Sequence, residues 1–321
     1  MSVDRPDPAD DPEEPGHRRP PDDPRSLDAA PLRPPDPPDR ETILAYRALA
    51  DRAHAAHREG TRNGTHDAAA DADRDSWAEA LPSLRVSWQE HENRYPERER
   101  ATPRTHPDGS WSSGETRTLT PEQNTEATKA CADIHDEGER VALPMMLQIE
   151  AANPNRRLAG LDHMLKGEDR LKEKIADVLL LESHLTPREA LDKVPDAVRY
   201  TFTYGPDGYA DGVQADVERL KATGFEEVKL KNLWSSSQYK GINTQWRRPE
   251  TGLRFEVQFH TPESLQAKEL THGAYERLRR PENETTPVER DELEAFQRRV
   301  NVPLVTPPGS EEIRDFPERK R

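Results

Sequence analysis

The order of the periodic segments between residues 196 and 280 constrains the fold more than any other feature of the sequence. Alternating β-branched and aromatic residues predict strands, whereas apolar residues at every third or fourth position predict helices. The segments are a strand at 196–204, a helix at 208–224, a strand at 225–234, two strands within 240–260 and a helix at 261–280. This β-α-β-β-β-α order predicts an α+β domain, with a mixed sheet flanked by helices.

Further helices are predicted before this unit, and a polar tail follows it. Thr120 precedes a proline, which is a typical helix start, and it opens a long helical stretch. Two more helical segments lie at 168–184 and 186–194. We therefore place the folded domain at 120–280. Residues 281–321 are predicted to be a polar tail that contains one helix at 287–299.

Proline crowding separates the N-terminal part of the chain from this domain. Twelve of the 30 prolines lie in the first 40 residues. Hydrophobic residues make up 32% of the chain and charged residues 34%, which is too polar for one uniform core. We predict that residues 1–118 are a largely disordered leader rich in Pro, Asp and Arg, with one helix at 41–60.

Net charge, cysteine count and apolar run length limit the ligands that the protein could bind and the compartment in which it could work. The net charge of −15 argues against non-specific DNA binding, which needs a basic surface. The single cysteine, Cys131, excludes an internal disulfide and is compatible with a reducing compartment. No apolar run approaches the roughly 18 residues of a membrane span, and no apolar signal segment is found. We expect a cytoplasmic protein that binds no membrane, with export by a non-Sec route left open.

The strand at 253–260 carries an unusual polar face. Every second residue is apolar: Phe255, Val257 and Phe259. The intervening Glu256, Gln258 and His260 would line the opposite face. The carboxylate of Glu256 could hold a divalent metal or accept a proton, and Gln258 and His260 could contact a substrate. The alternative is an ordinary solvated face.

A second carboxylate stands at the start of the strand at 196–204. Alternation predicts that Asp196 and Val198 share one face and that Arg199 points the other way. If this strand lies beside the one carrying Glu256, the two carboxylates could share one metal ion. A site with only one or two protein carboxylates suits Mg²⁺, because this ion takes its other ligands from water and phosphate. The alternative is that Asp196 only caps the strand after Pro195.

The loop "SSSQYKGIN", 235–243, contains a single aromatic residue. Tyr239 could stack on a base, Lys240 could meet a phosphate, and Gly241 allows close backbone approach. The alternative is a hairpin loop with a packing tyrosine.

A basic stripe is predicted near the start of the helix at 168–184. Lys166, Arg170 and Lys174 are spaced i, i+4 and i+8, which would place them on one face to clamp a triphosphate. Acidic residues interleave with them: Glu168, Asp169 and Glu173. The alternative is therefore a salt-bridged surface helix.

Taken together, these motifs resemble the RelA/SpoT family of nucleotide pyrophosphokinases. The matching stretches are "LKGEDRLKEKI", "DAVRYTF", "VKLKNLW", "QYKGIN", "FEVQFHT" and "ESLQAKELTHGAYERLR". The resemblance implies a nucleotidyltransferase-like fold that moves the β,γ-pyrophosphate of ATP to the 3′-hydroxyl of a nucleotide. The usual acceptor is GDP or GTP, giving (p)ppGpp. The layout is similar to a single-domain or toxin-type member.

The resemblance also implies roles for individual residues. Glu256 would act at the metal and beside the attacking hydroxyl, with Asp196 as the second Mg²⁺ ligand. The acceptor would meet Tyr239, Lys240, Asn243, Gln258 and His260. The phosphates of ATP would meet Lys166, Arg170, Lys174 and Arg199.

The chain departs from the family pattern at several of these positions. The common strand motif ends in Arg-Thr, where this chain has His260, and the common loop has His where this chain has Asn243. A family Arg falls at Met164, and the first-strand Asp falls at Val194, two residues before Asp196. These departures touch contacts with both substrates.

Alternative functions therefore stay open. A toxin-type relative would use an adenine nucleotide or the 3′ end of tRNA as acceptor and would have an antitoxin or an oligomer partner. A catalytically degenerate module would bind nucleotide without turnover, which Met164 and Val194 motivate. A zinc hydrolase would use Glu256, His260 and His272.

Overall fold

The computed structural model describes residues 68–97, 101–280 and 284–317. The first 67 residues, which include the predicted helix at 41–60, lie outside this part of the chain. The helices are α1 Ala68–Arg94, α2 Pro121–Glu137, α3 Leu143–Ala151, α4 Glu168–Leu181, α5 Pro187–Leu191, α6 Tyr209–Ala222, α7 Pro262–Leu278 and α8 Pro287–Asn301. The strands are β1 Arg104–Thr105, β2 Trp111–Ser113, β3 Arg117–Leu119, β4 Arg156–Ala159, β5 Arg199–Tyr204, β6 Glu226–Asn232, β7 Ile242–Arg247 and β8 Arg254–His260.

Threonine followed by proline starts helices throughout the domain. In each case the threonine hydroxyl accepts a hydrogen bond from the backbone N–H three residues later, which satisfies one of the unpaired donors of the first turn. The threonines that cap helices in this way are Thr120, Thr186, Thr261 and Thr286. The prediction of a helix start at Thr120 is therefore confirmed.

The central sheet has five strands in the order β4-β5-β8-β7-β6. Strands β5 and β8 are parallel, and the other neighbours are antiparallel. The predicted α+β fold with a mixed sheet is confirmed, including the β-α-β-β-β-α order. Strand β4 was not predicted, because its four residues are too few to show alternation.

One face of this sheet forms the main hydrophobic core. Phe255, Val257 and Phe259 on β8 are fully buried there, as the alternation predicted. Side chains of Tyr200 and Phe202 on β5 pack beside Phe255 and Phe259 respectively. The opposite face of β5, β7 and β8 is therefore the polar one.

Residues 68–97 and 101–118, which the sequence placed in the leader, form α1 and a small three-stranded sheet. This sheet is bound to the acidic side of α4. The bonds are Trp111 Nε1 to Asp169 at 3.0 Å, Ser113 Oγ to Glu173 at 2.7 Å and Arg117 Nε to Asp177 at 2.7 Å. Strands of two or three residues carry no period, which is why the sequence did not reveal them.

The C-terminal segment is also part of the fold. The predicted helix at 287–299 is present as α8, and it packs against α7 and α1. The shared buried residues include Trp77, Leu84, Leu293, Phe296 and Val300. Trp88 of α1 lies so close to Gly273 of α7 that a Cβ there would stand 2.5 Å from the indole ring. Residues 284–317 therefore contribute a second core rather than a free tail.

No helix in the described part of the chain is both long enough and apolar enough to cross a membrane.

Candidate functional site

The parallel pairing of β5 with β8 places a basic and an acidic side chain together on the polar face of the sheet. Arg199 lies directly opposite Glu256 in the register. The Arg199 Nε donates to Glu256 Oε2 at 2.8 Å, and a terminal nitrogen of Arg199 donates to Asp196 Oδ2 at 3.1 Å. One guanidinium therefore bridges the two carboxylates that the sequence singled out.

The position of Asp196 differs from the prediction. We expected it to share a face with Val198, yet Val198 is buried in the core while Asp196 lies on the polar side with Arg199. The reason is local, because β5 begins only at Arg199 and residues 195 and 196 form a turn. Strand alternation does not apply in a turn, so Asp196 reaches the site by another route.

The three cations of the predicted basic stripe do not lie together on one helix face. Lys166 precedes α4 rather than lying on it, and its Nζ is 3.1 Å from Asp196 Oδ2. Arg170 faces elsewhere, in ion pairs with Glu173 at 2.6 Å and Glu276 at 3.4 Å. Lys174 is partly buried, and its charge acts on Asp196. Its ammonium forms no hydrogen bond or ion pair with a side chain of the described residues.

These cations decide the charge state of the aspartate. Burial raises the pKa of the Asp196 carboxyl, but the combined charges of Lys166, Lys174 and Arg199 outweigh this effect and hold the pKa below its ordinary value. Burial also lowers the pKa of Lys166, against the raising effect of Asp196. The site therefore holds a carboxylate that is ionised near pH 7 and surrounded by Lys166, Lys174 and Arg199.

Glu256 is held on one side only. Its Oε2 accepts from Arg199 and from Gln258 Nε2, the latter at 3.0 Å, and the side chain is 13% exposed. Its Oε1 accepts no hydrogen bond from any described residue. Oε1 is therefore the oxygen of Glu256 that could accept a hydrogen bond from the hydroxyl group of a bound ligand.

Lys268 on α7 is a member of this network that the sequence did not single out. Its Nζ donates to Gln258 Oε1 at 2.5 Å. A signal was present, since Ser264 and Lys268 are spaced i, i+4 on α7 and both side chains reach β8. We interpreted α7 only as a closing helix and did not ask which polar residues would face the sheet.

The Tyr239 hydroxyl contacts two polar side chains at the other end of the polar face. It donates a hydrogen bond to Asn243 Oδ1 at 2.8 Å and lies 2.9 Å from His260 Nε2. The other ring nitrogen of His260 lies 2.9 Å from Ser264 Oγ. His260 is fully buried, which lowers its pKa well below the ordinary value, so the imidazole is neutral near pH 7. Its role is therefore to hold Tyr239 rather than to carry charge.

The backbone of the loop explains how Tyr239 reaches this position. Gly241 has φ +146°, and a Cβ there would stand 2.8 Å from the His260 ring, so glycine allows the loop to lie against β8. Lys240, in contrast, turns inward. Its Nζ donates to the Trp234 carbonyl at 2.6 Å, and it is buried, so the structure does not bring this predicted phosphate ligand into the site.

Tyr239→Phe is expected to lower the free energy of unfolding by about 1–3 kcal/mol, because it leaves the buried Nε2 of His260 without a partner. Urea unfolding followed by circular dichroism measures the change. The matched control is Tyr275→Phe, whose exposed hydroxyl only accepts from Arg279 and whose removal should change stability by less than about 0.5 kcal/mol. Equal stability of the two variants would contradict the described Tyr239 contacts.

Asp196 and Glu256 are the residues here that could hold a metal ion. Both present hard carboxylate oxygens to one small space, and both are mostly shielded from solvent. The structure does not bring Glu256, His260 and His272 of the zinc alternative into one group, since no group of three or more His, Cys, Asp or Glu in residues 68–97, 101–280 and 284–317 is arranged to hold an ion. His272 is exposed on α7, and both nitrogens of His260 are already bonded.

The two residues that motivated a degenerate module pack away from the site. Met164 is 8% exposed and Val194 is 3% exposed, and both belong to the main core. Both side chains therefore contribute apolar packing.

Comparison with known proteins finds similarity among solved structures. No protein-family profile and no curated protein matches the sequence. A GTP pyrophosphokinase family protein from Streptococcus pneumoniae is 14% identical, covers 57% of this chain and 89% of its own, and has a TM-score of 0.37. Small alarmone synthetase 1 from Bacillus subtilis is 14% identical, with coverages of 56% and 90% and a TM-score of 0.35.

The same Bacillus subtilis enzyme bound to its product pppGpp is also similar, at 17% identity, coverages of 43% and 68% and a TM-score of 0.28. These proteins are RelA/SpoT-like synthetases, the group that the sequence motifs resemble. At such identities and TM-scores the similarity by itself carries no conclusion about activity, which must come from the side chains described above.

Proposed function

We propose that this chain is a nucleotide 3′-pyrophosphokinase that transfers the β,γ-pyrophosphate of ATP to the 3′-hydroxyl of GDP or GTP, giving (p)ppGpp. The observation that carries the proposal is the Arg199 bridge, which holds the Asp196 and Glu256 carboxylates together beside Lys166. Transfer of phosphoryl groups is catalysed mainly by positioning and by charge neutralisation, and this cluster is suited to both.

The transfer forms a bond between the 3′-oxygen of the acceptor and the β-phosphorus of ATP. It breaks the bond from that phosphorus to the oxygen shared with the α-phosphate, and AMP leaves with that oxygen. The proton of the 3′-hydroxyl passes to Glu256. The free Oε1 of Glu256 is suited to this role, because a general base must lie within hydrogen-bond reach of the proton that it takes.

The cations at the Asp196 end would bind the phosphates of ATP. Among the described residues Lys174 has no side-chain hydrogen-bond partner, so a phosphate oxygen would supply one. Lys166 is paired with Asp196. On ATP binding its ammonium would either leave this carboxylate for a phosphate oxygen or bond to both. Arg170, which is already paired with Glu173 and Glu276, is less suited to this role than its sequence position predicted.

The acceptor base would stack on Tyr239, whose ring is held by its hydroxyl. Asn243 and His260 would act through this tyrosine, since each has a side-chain contact with its hydroxyl. Gln258, which is 4% exposed, would act through Glu256 in the same way. The predicted acceptor contacts thus divide into one stacking residue and several residues that position other side chains.

Mg²⁺ would be held by Asp196 and Glu256, and when bound it would neutralise charge on the transferred phosphates. Chelation with EDTA is accordingly expected to abolish transfer, and Mg²⁺ is expected to restore it. Zn²⁺ added alone should not restore transfer, because the residues described here include no nitrogen- or sulfur-rich metal site. Full activity in EDTA would contradict the proposed metal requirement.

A panel of acceptors tests the proposed substrates. The full chain would be incubated with Mg²⁺ and ATP labelled in its γ-phosphate, together with GDP, GTP, ADP, ATP or tRNA in separate reactions. The proposal predicts label on GDP or GTP. Label on ADP, ATP or tRNA instead would identify the toxin-type acceptor, and nucleotide binding without any transfer would identify a degenerate module.

A further inference from the structure

We propose that Lys268 is a positioning residue of the same site: it fixes the orientation of the Gln258 amide and, through it, the Glu256 carboxylate. This inference depends on the proposed pyrophosphate transfer for its catalytic consequence. The contact itself, 2.5 Å between Lys268 Nζ and Gln258 Oε1, is independent of the reaction.

The first step of the argument concerns which way the amide points. A glutamine side chain has an acceptor end and a donor end, and only the donor end can bond favourably to a carboxylate. With a pKa of about 8, Lys268 is mostly an ammonium at pH 7, and this form has three N–H donors and no acceptor, so it can bond only to the oxygen end. With Oε1 held by Lys268, Nε2 must face Glu256, where it donates to Oε2 at 3.0 Å.

The second step concerns the carboxylate. Two donors converge on Glu256 Oε2, one from Arg199 at 2.8 Å and one from Gln258. This pair of bonds leaves Oε1 as the oxygen without a described partner. If the amide turned over, its oxygen would lie against Oε2, and the carboxylate would lose the contact that fixes its plane. Lys268 thereby determines which oxygen of Glu256 is presented to a substrate hydroxyl.

The surroundings of Lys268 agree with this role. Burial, assisted by the charge of Arg199 and opposed by that of Glu256, lowers the pKa of Lys268 to about 8. Lys268 also comes from α7, whereas Glu256, Gln258 and Arg199 come from the sheet, so it links the closing helix to the site.

The kinetic test uses Lys268→Met and Lys268→Arg in the full chain. Loss of an outer partner of this kind typically costs about 10–100-fold in activity, so kcat of Lys268→Met should fall by that factor. The KM for ATP should stay within about twofold, because the phosphate-binding lysines are unchanged. Lys268→Arg, which keeps a cationic donor, should recover most of kcat. The control Lys221→Met removes an exposed lysine of α6 and should leave kcat unchanged.

A double-mutant cycle separates positioning from a general structural role. If Lys268 acts through Gln258, the variant Gln258→Met/Lys268→Met should be no slower than Gln258→Met alone. Additive losses, or full kcat in Lys268→Met, would overturn the proposal.

A nuclear magnetic resonance measurement stands apart from activity. The side-chain NH₂ signals of Gln258, assigned by their loss in Gln258→Met, should exchange slowly with water in the wild type, unlike those of the exposed Gln266. They should exchange rapidly in Lys268→Met. Fast exchange of the Gln258 NH₂ in the wild type would show that it does not hold Glu256, and it would overturn the proposal whether or not an acceptor is found. Failure of the wild type to transfer label, with a protected Gln258, would reject only the proposed function.

Discussion

Glu256→Gln is expected to lower the rate of pyrophosphate transfer by about 10²–10⁴-fold, the range in which a general base contributes to catalysis. Glutamine has the same shape but cannot take the proton of the acceptor hydroxyl, and it weakens any metal site shared with Asp196. The measurement is kcat with ATP and the preferred acceptor. Because Arg199 keeps Asp196 as a charged partner and the change is isosteric, circular dichroism should be unchanged and the loss of stability in urea should be smaller than in Asp216→Asn.

Glu226→Gln is the matched control for this prediction. Glu226 lies on β6 of the same sheet, two strands away from β8. It pairs with Arg247 at 2.5 Å, and its side chain is half exposed. Its replacement should leave kcat within about twofold. Equal activities of the Glu256 and Glu226 variants would contradict the assignment of Glu256.

Asp216→Asn is expected to lower the free energy of unfolding by about 3–5 kcal/mol, the usual cost of breaking a buried ion pair from one side. Asp216 on α6 is fully buried and accepts from Arg156 of β4, from Arg219 at 2.8 Å and from the Tyr204 hydroxyl. The Arg156 side chain is also fully buried, so the substitution leaves its charge unneutralised inside the domain. Urea unfolding provides the measurement.

Glu218→Gln provides the comparison on the same helix. Glu218 pairs with Lys221 at 3.0 Å, but its side chain is 71% exposed, and such pairs contribute at most about 1 kcal/mol. A loss below about 1 kcal/mol in Asp216→Asn would show that the buried network adds little, and that β4 is held to α6 by apolar contacts instead.

Sequence periodicity was sufficient to locate four of the five strands of the central sheet and the polar face that carries the site. Period-two alternation at 253–260 has a direct physical cause, because one face of β8 is buried against aromatic residues while the other carries Glu256 and Gln258. The pairing of β5 with β8 was only a condition for a shared metal site, and the parallel register between Arg199 and Glu256 fulfils it.

Features that depend on tertiary contacts were beyond the reach of this reasoning. A turn before β5, not strand alternation, brings Asp196 to Arg199, and nothing in the residue spacing indicates where a strand begins to alternate. Lys240 has the sequence context of a ligand but is used to bind the Trp234 carbonyl. The contact of Lys268 with Gln258 spans ten residues and two elements, so only the packing of α7 on the sheet reveals it.

The most direct test of pyrophosphate transfer is to follow the β- and γ-phosphates of ATP separately. ATP labelled at either position would be incubated with the wild-type protein, Mg²⁺ and the preferred acceptor. We predict that both labels appear on the acceptor in equal amounts, with one AMP released for each molecule modified. Transfer of the γ-label alone, or its release as inorganic phosphate, would contradict the assignment of this site as a pyrophosphokinase.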